Sequence, residues 1–368
     1  MQTKKVLLSA QNTLSAAALL CACILLILHR DTARNGVLTG IHTCLNTLIP
    51  SLFPFVLLSC LISRSRAASL LFRPLAPVMR HIFRLPPAAA PALFLGLTAG
   101  YPVGAKITAS LYERGELSRE QAARLLSFCT APGYAFCVYT ASRLSGAKHC
   151  ALLLFCATSL PPLFIGILRA CFAPKPEANR AADAGTFDFT DAVRDGVSAM
   201  TAMCGFVVVF SALLSVLKAA GLFRIAVSAL SVLGITVSDA GALLTYLLEV
   251  TEGVAHSAYW HLPLTVAAFG LGFAGLCIHL QLFSFFRRKP FPMPKPHYFL
   301  LRLLTGVCSA FFCRLLTRLF PEAAAASAGS RPLSPVPTGS PALSAALLAL
   351  SLFFLLICSK RDSIPKKA

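Results

Sequence analysis

Glu249, Glu252 and His256 stand at i, i+3 and i+7, a spacing that puts three side chains on one helix face. They follow Leu243-Leu244-Thr245-Tyr246-Leu247-Leu248, so both carboxylates lie deep in an apolar segment. Charges placed there cost about 3 kcal/mol each and as a rule face a watery cavity or a partner. Two chemistries suit the group. One is a substrate, proton or cation site that also takes in Thr251; the other is an ion pair with Lys106 that docks one segment on another. His279 and Gln281 lie within Gly275-Leu276-Cys277-Ile278-His279-Leu280-Gln281-Leu282, again deep in an apolar run. Two positions apart they point to different faces. A site role for His279 and a plain interhelical hydrogen bond are equally compatible with that placement.

The run Gly96-Leu97-Thr98-Ala99-Gly100-Tyr101-Pro102-Val103-Gly104-Ala105-Lys106 interrupts a second apolar stretch with three glycines, a proline and a lysine. Glycine frees the backbone, and proline removes a donor and a helical bond. A break of this kind leaves bare N–H and C=O groups that lipid cannot satisfy. It survives at membrane depth only where it is packed in protein or lines a watery cavity, and in secondary transporters such breaks bind substrate. The candidate substrate-binding residues are therefore Thr98, Gly100, Tyr101, Pro102, Gly104 and Lys106, with Glu249, Thr251, Glu252, His279 and Gln281.

The elements that position these residues are apolar. Hydrophobic residues form 57% of the chain and charged residues 13%, outside the range of a soluble domain. The mean hydropathy is +0.74. The net charge of +19 comes from basic residues clustered between apolar segments, as the positive-inside rule produces, and not from a nucleic-acid surface. The 14 cysteines include no CxxC pair and lie mostly in apolar runs, so neither disulfides nor a metal are expected. No phosphate loop, HExxH or nucleophile elbow occurs, and no enzymatic activity or cofactor is expected.

Near-spanning stretches are readable at 6–28, 37–62, 125–142, 147–172, 195–218, 262–286, 303–319 and 342–358. Lys4 and Lys5, the 64–84 loop, residues 287–302 (with Arg302) and the Lys360–Lys367 tail are basic and expected in the cytoplasm, with both termini. Arg66, Arg73 and Arg80 recur at seven-residue spacing, as on an amphipathic surface helix over 67–83. Two broken segments remain, 86–124 and 235–261. The first has basic flanks on both sides; the second has no Lys or Arg from Ile225 through Phe286. Each reads as a re-entrant hairpin, one from each face. Within the first, Ser118 is expected to cap a helix with Gln121.

Leu52-Phe53-Pro54-Phe55-Val56-Leu57-Leu58-Ser59 resembles Cys204-Gly205-Phe206-Val207-Val208-Val209-Phe210-Ser211, and the order span, short helix, hairpin, span, span occurs twice. The fold expected is an all-α polytopic membrane protein of about eight transmembrane helices with two hairpins in an inverted repeat. Its parts are an N-terminal helix and loop (1–36), a first repeat (37–172), a linker (173–194), a second repeat (195–319) and a linker, helix and basic tail (320–368). Such a repeat places a site at the midplane.

The motifs TAGYPVGAKITASLYERGELSREQAARLLSFC at 98–129, LLEVTEG at 247–253 and GFAGLCIHLQ at 272–281 resemble the YlbJ-type sporulation integral membrane proteins. These belong to the wider group with the nucleoside-recognition, or gate, domain. The resemblance runs from about residue 37 to 319 and implies a multi-pass protein that moves dipicolinic acid from the mother cell into the forespore, across the outer forespore membrane. A planar dianion suits half-helix N-termini. The partners so implied are a small anionic substrate and the lipid bilayer, with no nucleic acid and homo-oligomerisation left open. A nucleoside-type carrier, or a non-transporting scaffold of spore assembly, are the competing readings.

Overall fold

The computed structural model describes residues 13, 16–17, 19–64, 70–144, 148–174, 189–260 and 262–321, and these are all-helical, without a strand. Five helices are long and apolar enough to cross a membrane: Arg30–Ile62, Cys150–Cys171, Phe189–Ala219, Leu264–Ser284 and Lys295–Leu319. They coincide with five of the eight expected spans. The stretch 342–358 lies outside the described residues, as do 6–12, 14–15 and 18 of the stretch 6–28, whose end Leu19–Leu28 is a short apolar helix.

The remaining stretch, 125–142, is not one span. Helix α5 (Arg119–Leu126) stops, residues 127–133 run without helix past Pro132 and Gly133, and α6 (Tyr134–Leu144) begins anew. Neither part is long enough to cross a bilayer alone. The expected cap at the head of α5 is present as a reciprocal box. Gln121 N–H donates to Ser118 Oγ, and the Gln121 side chain accepts from Ser118 N–H. Of the amphipathic helix expected over 67–83, residues 67–69 lie outside the described residues and the rest is an irregular helical stretch, with a 3-10 turn Arg73–Leu75 and a π segment Val78–Ile82, where Pro74 and Pro77 deny a continuous α ladder.

Helix α1 (Arg30–Thr43) passes through a π turn, Cys44–Leu48, into α2 (Ile49–Arg64). The first hairpin is α3 (Ala90–Thr98) and α4 (Tyr101–Glu113). After α5 and α6 comes α7 (Lys148–Cys171). The second half opens on the long α8 (Phe189–Ala219) and the short α9 (Leu222–Ser231). Its hairpin is α10 (Val237–Leu248) and α11 (Val250–Tyr259). Helices α12 (Leu264–Phe273) and α13 (Gly275–Ser284) form one crossing element broken at Ala274, and α14 (Lys295–Leu319) ends the described chain.

Small residues hold the long helices at backbone distance. A Cβ on Gly36 would stand 2.7 Å from Ala212 Cα, and one on Gly40 2.7 Å from Val208 Cα, so α1 lies directly on α8. Without a hydrophobic drive between helices in lipid, such close approach is what joins them. Likewise Gly272 of α12 faces Gly306 and Ser309 of α14. That second contact decides the site.

Candidate functional site

The first hairpin turns at Gly100, whose φ of +105° lies where L side chains are rarely found. Helix α4 restarts at Tyr101 with Pro102 in its first turn, where a missing N–H is harmless, and no side chain caps it. Just behind the tip, Gly96 and Gly104 face each other, and the carbonyl of Cys129 lies against both. Gly133 takes the other side, with its Cβ position 2.7 Å from the Ala99 carbonyl carbon. The hairpin tip is thus clasped by the unwound stretch between α5 and α6.

The second hairpin turns at Glu249, in extended conformation between α10 and α11. Glu249 is therefore the N-cap of α11 and not a member of one helical face with Glu252 and His256. Its buried carboxylate (2% exposed) accepts the N–H of Glu252 at 2.7 Å. The tip packs on the break between α12 and α13, where Ala274 and Gly275 have φ of +81° and +69°. A Cβ on Gly275 would meet the Tyr246 carbonyl at 2.7 Å. Each hairpin tip therefore rests on the broken helix of its own half.

One side chain joins the two breaks. Arg302, on α14, is 1% exposed. Its Nη1 donates to the Thr130 carbonyl at 2.7 Å and to Thr130 Oγ1 at 3.3 Å, in the first break. Its Nη2 donates to the Gly272 carbonyl at 2.6 Å and Nε to the Phe273 carbonyl at 3.3 Å, at the second. The carbonyls of Gly272 and Phe273 are ones that the end of α12 leaves without intrahelical donors, and Thr130 lies in the unwound stretch, where no helical ladder serves it. Tyr101 closes the group: its hydroxyl donates to the Leu271 carbonyl, and its ring lies 6.0 Å from the guanidinium carbon. No ion pair to Arg302 occurs among the described residues, so its positive charge is met only by neutral oxygens.

Arg302 was expected in a cytoplasmic loop and is instead the centre of the bundle. Three further residues of the expected site have definite partners. Lys106 does not meet Glu249 or Glu252; its Nζ donates to the Asp195 carbonyl at 3.0 Å, at the head of α8. His279, fully buried, shares a 3.3 Å hydrogen bond with the Tyr298 hydroxyl and is ringed edge-on by Phe273, Tyr298 and Phe299, the interhelical role. Gln281 donates to Cys277 Sγ at 3.3 Å on its own helix. Thr98 is half-buried and bonds the Phe94 carbonyl, and Thr251 and Glu252 are half-buried beside Glu249. Gly100 and Tyr101 are thus brought to Arg302, while Glu249 forms a separate point.

Close packing and backbone strain give opposite expectations for two small substitutions. Gly104→Ala drives a Cβ onto the Cys129 carbonyl, and such overpacking costs about 1–3 kcal/mol. Ala274→Gly relieves a left-handed residue, worth about 1–2 kcal/mol, against an entropic cost of about 0.5–1 kcal/mol. Thermal unfolding of the purified variants should show a clear drop for the first and none for the second. Equal drops would mean that neither local geometry governs.

These features define a multi-pass, all-helical integral membrane protein with paired helix breaks. Residues 45–145, which hold the first hairpin and its break, match the family model described as Gate: Nucleoside recognition. Over 349 residues, 84% of this chain and 84% of the relative, the chain is 28% identical to the sporulation integral membrane protein YlbJ of Bacillus subtilis strain 168. No solved structure matches it.

Proposed function

We propose that the chain is a sporulation transporter for a small organic anion, and that dipicolinic acid passing from mother cell to forespore is its substrate. The observation that carries this reading is Arg302, a buried guanidinium without a carboxylate, set where two helix breaks meet. An unbalanced charge at membrane depth is costly unless something of opposite sign visits it. Two half-helices begin with N-termini that no side chain caps: α4 at the first hairpin tip after Gly100, and α13 at the second break after Ala274. Both attract carboxylates. Helix α11 does not, because Glu249 already fills its N-terminus. The reading needs no cofactor and no catalytic step. The matching family, described by nucleoside recognition, favours a second reading, a nucleoside-type carrier. A neutral nucleoside, however, leaves the charge of Arg302 unused.

Spores from a strain lacking the gene should contain background dipicolinate. Spores should regain it when the wild-type chain is restored, and should not regain it when dipicolinate is merely supplied from outside. Normal dipicolinate in the deletion would end the proposal. In the same reading the membrane is the outer forespore membrane, the termini face the mother-cell cytoplasm, and the hairpins enter from opposite faces. Cysteines replacing Arg114 and Tyr259, both exposed, should then label from opposite sides in a background without native cysteines. Ser257 is fully buried and cannot serve as the second reporter. Labelling of both from one side would remove the inverted arrangement.

A further inference from the structure

Away from the breaks, three arginines from distant parts of the chain meet at one end of the bundle. Arg84 precedes the first hairpin, with a φ of +48° that is uncommon outside glycine. Its Nη1 donates to the Ala173 carbonyl at 2.7 Å and the Cys171 carbonyl at 3.4 Å, at the end of α7. Arg124, on α5, donates from Nη2 to the Arg84 carbonyl at 3.1 Å. Arg169, in the last turn of α7, donates from Nη1 to the Ala123 carbonyl at 3.4 Å. Each guanidinium is thus held against a backbone neighbour of another. Among the described residues, the exposed Glu120 is the carboxylate that acts on both Arg124 and Arg169.

The cluster is incomplete. Arg124 is 7% exposed, and its Nε and Nη1 are buried with no hydrogen-bond partner among the described residues. Buried donors are almost always paired, and a guanidinium's fork of N–H groups matches an anion with several oxygens. Burial, with the charges of Arg169 and Arg84, lowers the pKa of Arg124 from the ordinary arginine value against the pull of Glu120. The surroundings of the cluster identify the source of the anion. Phe164 and Leu168 of α7 and Phe172 just past its end form one i, i+4 row on the face next to that of Arg169, and they are 67%, 52% and 85% exposed. Ile82, beside Arg84, is 45% exposed. A basic cluster opening onto an apolar track suits a phosphate with acyl chains attached, and basic pockets between membrane helices recognise such headgroups.

We infer that Arg84, Arg124 and Arg169 form a binding site for the phosphate headgroup of an anionic phospholipid, with its acyl chains along Phe164, Leu168 and Phe172. The inference is independent of what the protein transports. Its test is native mass spectrometry and thermal unfolding of the full chain in neutral detergent. The probes are phosphatidylglycerol, phosphatidylcholine of the same chains, and inorganic phosphate. Phosphatidylglycerol should be retained and should raise the melting temperature, while phosphatidylcholine should do neither. Arg169→Gln should weaken retention about tenfold, the effect of losing one charge-assisted hydrogen bond. Arg124→Gln should do the same. If that variant fails to accumulate, Arg124→Lys, which keeps a charge without the fork, and Arg169→Gln carry the test. Arg314→Gln, an exposed arginine on α14, should change nothing. Equal retention of the two lipids, or unchanged retention in Arg169→Gln, would overturn the site. So would inorganic phosphate matching the lipid's thermal shift with no lipid retained, since the ligand would then be a free anion.

Discussion

Arg302→Met is expected to abolish dipicolinate accumulation and to reduce the amount of folded protein sharply. The side chain serves three backbone carbonyls and one hydroxyl across two helix breaks. Each buried acceptor left without its donor costs about 1–3 kcal/mol, against a whole-protein stability of about 5–15 kcal/mol. Arg302→Lys separates fold from function. An ammonium keeps the charge but cannot span both breaks as the guanidinium fork does. That variant should reach the membrane in near-normal amounts, with its maximal rate falling more than its apparent affinity. A methionine variant with normal abundance and normal transport would show that nothing depends on the bridge.

Glu249→Gln carries the second large effect. The amide oxygen of glutamine can still accept the Glu252 N–H, so the cap and the abundance should survive. Transport should fall at least about tenfold, because a charge kept 2% exposed at this depth costs more than a neutral cap would. Glu249→Ala should lose about 1 kcal/mol of stability in addition. Lys106→Met should be mild by comparison, since it removes one hydrogen bond to the Asp195 carbonyl. The double variant Lys106→Met with Glu249→Gln should be additive within about 0.5 kcal/mol, as separated sites are. A coupling beyond that, read from transport rates of the singles and the double, would bring the two charges back together.

Much of the frame was legible because lipid allows so few solutions. Apolar length gave five spans, and a Gly-Pro interruption at Gly100 gave the first hairpin tip where it stands. Ser118 and Gln121 announced their cap through a local motif. What was missed depends on contacts distant in sequence. Arg302 follows Lys295 by seven residues in a basic stretch and looks like a flank. It is a core residue because α14 already starts at Lys295, two turns earlier, after the proline run Pro290, Pro292 and Pro294. Those prolines were the local signal for that start. The reach of Arg302 also requires α12 to lie on α14 at Gly272 and Gly306, which no spacing within either helix declares. Glu249 was placed on a helix face for a similar reason. Its i, i+3 and i+7 pattern holds only for an unbroken helix, and the chain breaks at Glu249 itself.

The central claim is that a buried, unbalanced guanidinium between two helix breaks serves an organic anion. Its most direct test is uptake of labelled dipicolinate by the purified chain in proteoliposomes. Uptake should saturate, should be competed by unlabelled dipicolinate and not by uridine, and should vanish in Arg302→Met protein matched for amount in the membrane. Uptake of labelled uridine without uptake of dipicolinate, or dipicolinate uptake unaffected by loss of Arg302, would contradict it.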